Sequence, residues 1–352
     1  MADYAHDRTD LTIEEIEKEL RKIYGDAEKD LHRKCEDYFR RFKIKDAKKR
    51  DQLKRGVITK EDYDAWRASQ IFNGERWEAL KERVAGDMYN ANSIAKAIIA
   101  GHRAEVYALN HNFATYMIEK GAKVNTSYTI YNTEAIERML KKNPQMLPFP
   151  GKNKMKEIIE KKDKLWNQKV VQSVAQQGII QGESIPQITK RIEKTLGESN
   201  HKAAIRNART LMTGAENGGR EDAYKRAQGL GIKLKQAWIA TLDMRTRHEH
   251  RELDGMAVGV DEDFIVPSSG EHIKFPGDPT APGHLVYNCR CRTIAQIEGF
   301  ERDTTALRSD PDIENMTYEQ WKQSRKEKPN PIDLPEKKRQ AAIARAIKEY
   351  QK

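Results

Sequence analysis

Between Leu11 and Lys142 apolar side chains recur at helical steps in a chain otherwise dense with charge, and this periodicity constrains the fold more than any other feature. Ile13, Ile16, Leu20 and Ile23 stand three or four positions apart, which puts them on one face of a helix. Thr12 and Glu15 have the spacing of a capping box, and Gly25 is placed to end the helix. Leu31, Cys35, Tyr38 and Phe42 repeat the stripe on a very charged background. Thr59 and Asp62 mark another start, with Trp66 behind it. Residues 74 to 120 are helical by period, with Ile94, Ile98, Tyr107 and Leu109 as core candidates. Such stripes are explained far better as core than as binding boxes. The segment YTIYNTEA around Tyr128 is the one β-like stretch in this half.

Asn143 to Gly151, NPQMLPFPG, breaks any helix and marks the first boundary. A helix from about 152 to 181 follows, with Trp166, Val170 and Val174 inside it. Gly182 ends it, Ser184 and Pro186 open the next, and the pair reads as a helical hairpin. A further helix spans about 200 to 228 and closes at Gly229. From Lys233 short apolar stretches (LKQAWIAT) alternate with turns, and Val266 to Gly283 is rich in Pro and Gly. The fold expected is mainly α with a small C-terminal α+β module and an elongated helical N-terminal region. Its parts are a helical docking region (1–145), a module (152–297, with helices over 152–228 and an α+β unit over 233–297) and a basic tail (298–352). Trp321 to Lys352 carries ten Lys/Arg against four Asp/Glu, a local +6, and its end after Pro335 reads as a basic helix.

Composition narrows the function classes. Of 352 residues 38% are hydrophobic and 34% charged, a low apolar share that suits a chain completing its burial on a partner. The formal net charge of +10, the tail and the stretch RRFKIKDAKKRDQLKR favour weak, sequence-independent and salt-sensitive binding to double-stranded DNA. Three cysteines, Cys35, Cys289 and Cys291, argue against a disulfide framework and for a reducing compartment. MADYAHDRTDLT has no apolar core of a signal peptide. No apolar run approaches the roughly 18 residues that cross a bilayer, so the chain is expected to be made in a cytoplasm with no membrane span.

Asp243, Arg245, Arg247, His250 and Asp254 crowd polar groups into a dozen residues. Read as chemistry, His250 is a general base held by an Asp. Read as structure, which is favoured, Asp243 caps a turn and pairs with Arg247, and Asp254-Gly255 form a turn. No nucleophile elbow, P-loop or HExxH accompanies them, and Ser268 and Ser269 have no base at a telling spacing. No catalytic residue is therefore assigned. Cys289 and Cys291 converge if the chain turns tightly between them. With His250, and either Asp243 or His248 as fourth ligand, they are candidates for a structural zinc. The alternative is a pair of buried free thiols in a turn.

Read continuously, AAIRNARTLMTGAENGGREDAYKRA, KQAWIATLDMRTRHEHRELDG and PGDPTAPGHLVYNCRCRTIAQ resemble the phage head-morphogenesis family of minor head proteins. The family pattern is an ART element and a small-residue run, a W-x-x-x-x-D strand, an R-x-x-H-x-x-x-[DN]-G turn and a Pro/Gly loop into N-C-R-C. The matching positions are Ala208, Arg209, Thr210, Trp238, Asp243, Arg247, His250, Asp254, Gly255, Pro282, Gly283, Asn288, Cys289, Arg290 and Cys291. Leu211 departs from the Glu that often follows ART. The resemblance covers about 170 to 296. It implies a virion component in few copies near the portal vertex, inside the capsid, assembled in the host cytoplasm. The implied partners are the portal protein and the major capsid or scaffolding protein, with roles in head assembly and in DNA packaging or ejection. It implies no enzyme. The alternatives are a phage-encoded nuclease or transferase using the Asp/Arg/His/Cys set, and a plain DNA-binding protein.

Overall fold

The computed structural model describes residues 3–71, 74–126, 128, 130–142, 156–181, 183–300, 308–309 and 311–325. The NPQMLPFPG break, Gly182 and the basic helix expected after Pro335 lie outside them. Six longer helices come first in the chain: α1 (Tyr4–Lys54), α2 (Lys60–Ile71), α3 (Gly74–Ala122), α4 (Thr133–Lys142), α5 (Lys156–Ile180) and α6 (Ile185–Gly229). The short strand β1 (Val124–Asn125) lies between α3 and α4. Then follow β2 (Ile232–Ile239), α7 (His248–Leu253), β3 (Ala257–Gly259), β4 (Phe264–Ile265), β5 (His272–Ile273), α8 (Gly283–Val286), β6 (Arg292–Phe300), β7 (Arg308–Ser309), a 3-10 turn (Pro311–Asn315) and α9 (Tyr318–Ser324). The chain is mainly α with a small α+β module towards its C-terminal part, as its periodicities indicate.

Two compact units are built from interleaved pieces. One comprises Met1–Glu17, Ala97–Lys152 and Arg206–Lys352; the other comprises Lys18–Lys96 and Asn153–Ile205. This differs from the linear division expected at 1–145, 152–297 and 298–352. Periodicity shows that a helix buries a face but not against what. Helices α1, α3 and α6, of 51, 49 and 45 residues, each contribute a segment to both units.

The all-helical unit packs Leu31, Cys35 and Phe39 of α1 with Trp77, Val84 and Met88 of α3, Val171 and Ala175 of α5, and Ile188, Ile192 and Leu196 of α6. One expected helix end and one expected helix start fall inside helices here. α1 runs through Gly25, because apolar positions continue on both sides of it: Leu20 and Tyr24 are buried before it and Leu31 and Cys35 after it. Burial of that face outweighs the roughly 1 kcal/mol that an interior glycine costs. α6 likewise runs unbroken through the helix start expected near residue 200, and at Gly197 a side chain would overlap the carboxyl of Glu28. Thr12 is not a cap; its hydroxyl donates to the Arg8 carbonyl one turn back at 3.0 Å. Thr59 does cap α2: its hydroxyl accepts from the Asp62 amide at 3.1 Å while its own amide donates to the Asp62 carboxylate at 3.3 Å.

The other unit holds a three-stranded antiparallel sheet in the order β3-β2-β6. Trp238 stands opposite Thr293 and Ile239 opposite Arg292, with a register shift at Lys233/Leu234. Ala223, Tyr224 and Ala227 of α6 pack with Ile232 and Leu234 of β2 and with Ala114 and Ile118 of α3. The helices approach closely: a Cβ on Gly219 would lie 2.4 Å from the Tyr107 carbonyl oxygen. That backbone contact accounts for the small-residue run TGAENGG. Among the described residues of the stretch around Tyr128 none lies in a strand. Tyr128 and Ile130 are buried in irregular chain, and the strand is the neighbouring β1, paired with β7.

One buried polar network runs through this unit. Arg220 on α6 donates to both Asp3 carboxylate oxygens at 2.9 Å, to Glu216 at 3.2 Å, to Asn110 at 3.1 Å and to the Thr293 carbonyl at 3.1 Å. His6 Nδ1 lies 2.9 Å from Glu216 Oε1. Burial opposes protonation of His6, but the hydrogen bond and charge of Glu216 outweigh it, so its pKa lies above the ordinary 6.5. A raised folded pKa stabilises fully below the unfolded value and is lost as pH rises through the folded one. Stability measured by urea midpoint should therefore decline above roughly pH 6.5. In His6→Gln that slope should flatten; an unchanged slope would show that Glu216 does not hold a proton on His6.

Candidate functional site

The sequence-predicted residues converge on the α+β part of the sheet-bearing unit, around His250, Cys289 and Cys291. α7 presents His250 inward and has no side-chain N-cap. It is fixed from outside instead. The Arg247 guanidinium donates to the Tyr287 carbonyl, and Asp254 accepts from the Ala240 amide at 2.8 Å. Gly255, at φ +77°, donates its amide to the Trp238 carbonyl at 2.8 Å and turns the chain into β3. Trp238 is fully buried and packs edge-on against His250 and Phe264, at 5.4 and 5.3 Å between ring centres.

The two cysteines arrive on a turn between α8 and β6. Asn288 takes the left-handed conformation, φ +58°, which Asn tolerates better than most residues. The turn sends both thiols the same way. Cys289 Sγ lies 3.5 Å and Cys291 Sγ 3.4 Å from His250 Nδ1. The Cys291 amide donates to Cys289 Sγ at 3.4 Å. Burial pushes the Cys289 thiol up, whereas the hydrogen bond from Cys289, followed by His250 and the Thr241 amide, draws Cys291 down. On its far side His250 Nε2 lies 2.8 Å from the Leu285 carbonyl. All three side chains are buried in a shell of Leu253, Phe264, Leu285 and Val286.

α6 holds the cysteine turn by its backbone. Thr210 accepts from the Asn288 amide at 2.9 Å, Thr213 donates to the Cys289 carbonyl at 2.7 Å, and Asn217 donates to the Cys291 carbonyl at 3.2 Å and accepts from the Thr293 amide at 2.8 Å. Arg209 reaches Glu17 at 2.8 Å and Asn288 at 3.4 Å. Gly277, at φ +80°, lets the Pro/Gly loop touch the same helix, and a Cβ on Gly214 would sit 2.8 Å from its carbonyl oxygen. Thr213 and Asn217 were not singled out from the sequence. Their spacing with Thr210 and Arg220, on one helix face inside a small-residue run, was the available signal.

Asp243 and His248 stand apart from the cluster. Asp243 forms a two-pronged pair with Arg290, at 2.8 and 2.7 Å, and not with Arg247 as the sequence suggested. Arg290 and the Arg245 amide hold its carboxyl well below the usual carboxylate range. His248 is exposed and lies 3.2 Å from Glu252. Ser268 and Ser269 donate to Glu252 at 2.6 Å and Glu271 at 3.0 Å, carboxylates with no histidine between.

Residues 169–294 match the model of the family described as Phage Mu protein F like protein. The chain is 24% identical over 326 residues to Minor head protein GP7 of Bacillus phage SPP1, covering 90% of this chain and 95% of that one. Over these residues it resembles the phage minor head protein family. Two further relatives match parts of the chain. It is 27% identical over 294 residues to NAD(+)--arginine ADP-ribosyltransferase EFV of Enterococcus faecalis, 81% of this chain but 58% of that protein's length. It is 32% identical over 130 residues to Uncharacterized protein YqbB of Bacillus subtilis, 36% and 41% of the two lengths. No solved structure matches it. The Arg209, Thr210, Trp238, Asp243, Arg247, His250, Asp254, Asn288 and Cys289–Cys291 pattern of the minor head family is thus a set of contacts that builds one small module. Among the described residues no helix is long and apolar enough to cross a membrane.

Proposed function

We propose that the chain is a non-enzymatic virion component that acts near the portal vertex in head assembly and in the packaging or ejection of DNA. The observation that carries this reading is the likeness to Minor head protein GP7 along 95% of that protein's length. The site supports it: Asp243, Arg247 and Asp254 are each committed to a contact that holds the module together. Under this reading the portal and the major capsid or scaffolding protein are the partners. Weak DNA binding follows from the +10 charge and weakens as salt rises. The test is co-purification of the full-length chain with the portal protein of its own phage. A fragment from 146 onward is unsuitable, because it would remove Asp3 and the α3 segment from the sheet-bearing unit. Absence of any complex with portal or capsid protein overturns the reading.

A transferase is the second reading, favoured by the 27% identity to the Enterococcus protein. Incubation with labelled NAD+ and an arginine-bearing acceptor separates the two. Transfer of label would establish it, and no transfer is the result expected.

A further inference from the structure

We propose that His250, Cys289 and Cys291 bind one zinc ion through three protein ligands, with water or another small ligand in the fourth position. The argument begins with the far side of the imidazole. A carbonyl oxygen can only accept, so the Leu285 carbonyl 2.8 Å from Nε2 fixes the proton there. The neutral ring then aims its Nδ1 lone pair at both sulfurs. A carbonyl behind a ligating histidine is the outer-shell contact that metal sites use to orient the ring.

The spacing fits a metal better than thiol hydrogen bonds do. One lone pair can accept from one S–H, yet two sulfurs face Nδ1 at 3.4 and 3.5 Å. Zn–S near 2.3 Å and Zn–N near 2.05 Å at a tetrahedral angle put S and N about 3.6 Å apart. The three donor atoms all lie within 4.8 Å of one another. The Cys291 amide points at Cys289 Sγ, an N–H donor that suits a sulfur carrying negative charge.

Binding releases both thiol protons, so Zn2+ and two thiolates form a neutral group that the apolar shell can enclose. Neither carboxylate nor imidazole is at hand as a fourth protein ligand among the described residues. Asp243 is held by Arg290, and His248 is turned to Glu252.

The test uses the full-length protein purified without chelator. Elemental analysis should find about one zinc per chain. Replacement by Co2+ should give the thiolate charge-transfer band and the intense visible bands of a tetrahedral ion, a readout that needs no variant to fold. Cys291→Ser and His250→Gln should lose the metal. Asp243→Asn, His248→Gln and Cys35→Ala should keep it. Absence of both zinc and a cobalt–thiolate spectrum overturns the site, as does metal that survives Cys291→Ser. Loss of metal in Asp243→Asn or His248→Gln overturns the three-ligand assignment. Failure of portal association would leave these metal readouts untouched.

Discussion

Arg220→Ala should destabilise the sheet-bearing unit by about 3–5 kcal/mol. The arginine is 3% exposed and satisfies two carboxylates, Asp3 and Glu216, themselves largely removed from water. Deleting it leaves Asp3 with only Arg292 and Glu216 with only His6 as counter-charge, two buried carboxylates now undercompensated. The cost is that of the abandoned charges more than of the lost bonds. Denaturant unfolding of the full-length variant reads it directly. Arg220→Met with Asp3→Ala and Glu216→Leu should recover much of the loss, since apolar groups of similar volume need no partner. A loss under about 1 kcal/mol in the single variant would mean that water already shares these charges.

Trp238→Ala is the second large effect, about 3–5 kcal/mol for an aromatic fully removed from a core. Its ring fills the space between His250 and Phe264, so the variant should also free the imidazole from its orientation. Near-ultraviolet circular dichroism and the unfolding midpoint report the two consequences. Trp238→Phe keeps part of the contact and should cost less. An alanine variant with wild-type stability would mean that the module collapses around the cavity without penalty.

Much of the architecture could be read from local signals. The helical stripes, the Thr59 cap and the change of texture at Lys233 each have a cause within a few residues. So does the Gly255 turn. What could not be read is where a signal has a distant competitor. Gly25 looks like a stop, but the face that continues past it is buried by segments far away in the chain. Asp243 lies four residues from Arg247 and 47 from Arg290, and the distant residue is the partner. Arg220 sits in a small-residue run, yet its decisive contacts are 217 and 73 positions off, at Asp3 and Thr293. The site itself was half legible: His250, Cys289 and Cys291 were named together, while Thr213 and Asn217, which hold the cysteine turn, were not.

The pairing of Asp3 with Arg220 and Arg292 sets an order of events during synthesis. Asp3 leaves the ribosome well before its partners, which follow only after some two hundred more residues. At about 5–20 residues per second that interval is on the order of ten seconds or more. The pieces of the all-helical unit, ending at Ile205, are complete before Arg220 is made. Until β2 emerges, the α3 and α6 faces that will cover the sheet have no strand to cover, and until β6 follows the sheet lacks the strand that carries Arg292. The nascent chain thus carries an exposed apolar surface for much of its synthesis, and this interval is where chaperone capture or mispairing with a neighbouring chain should concentrate.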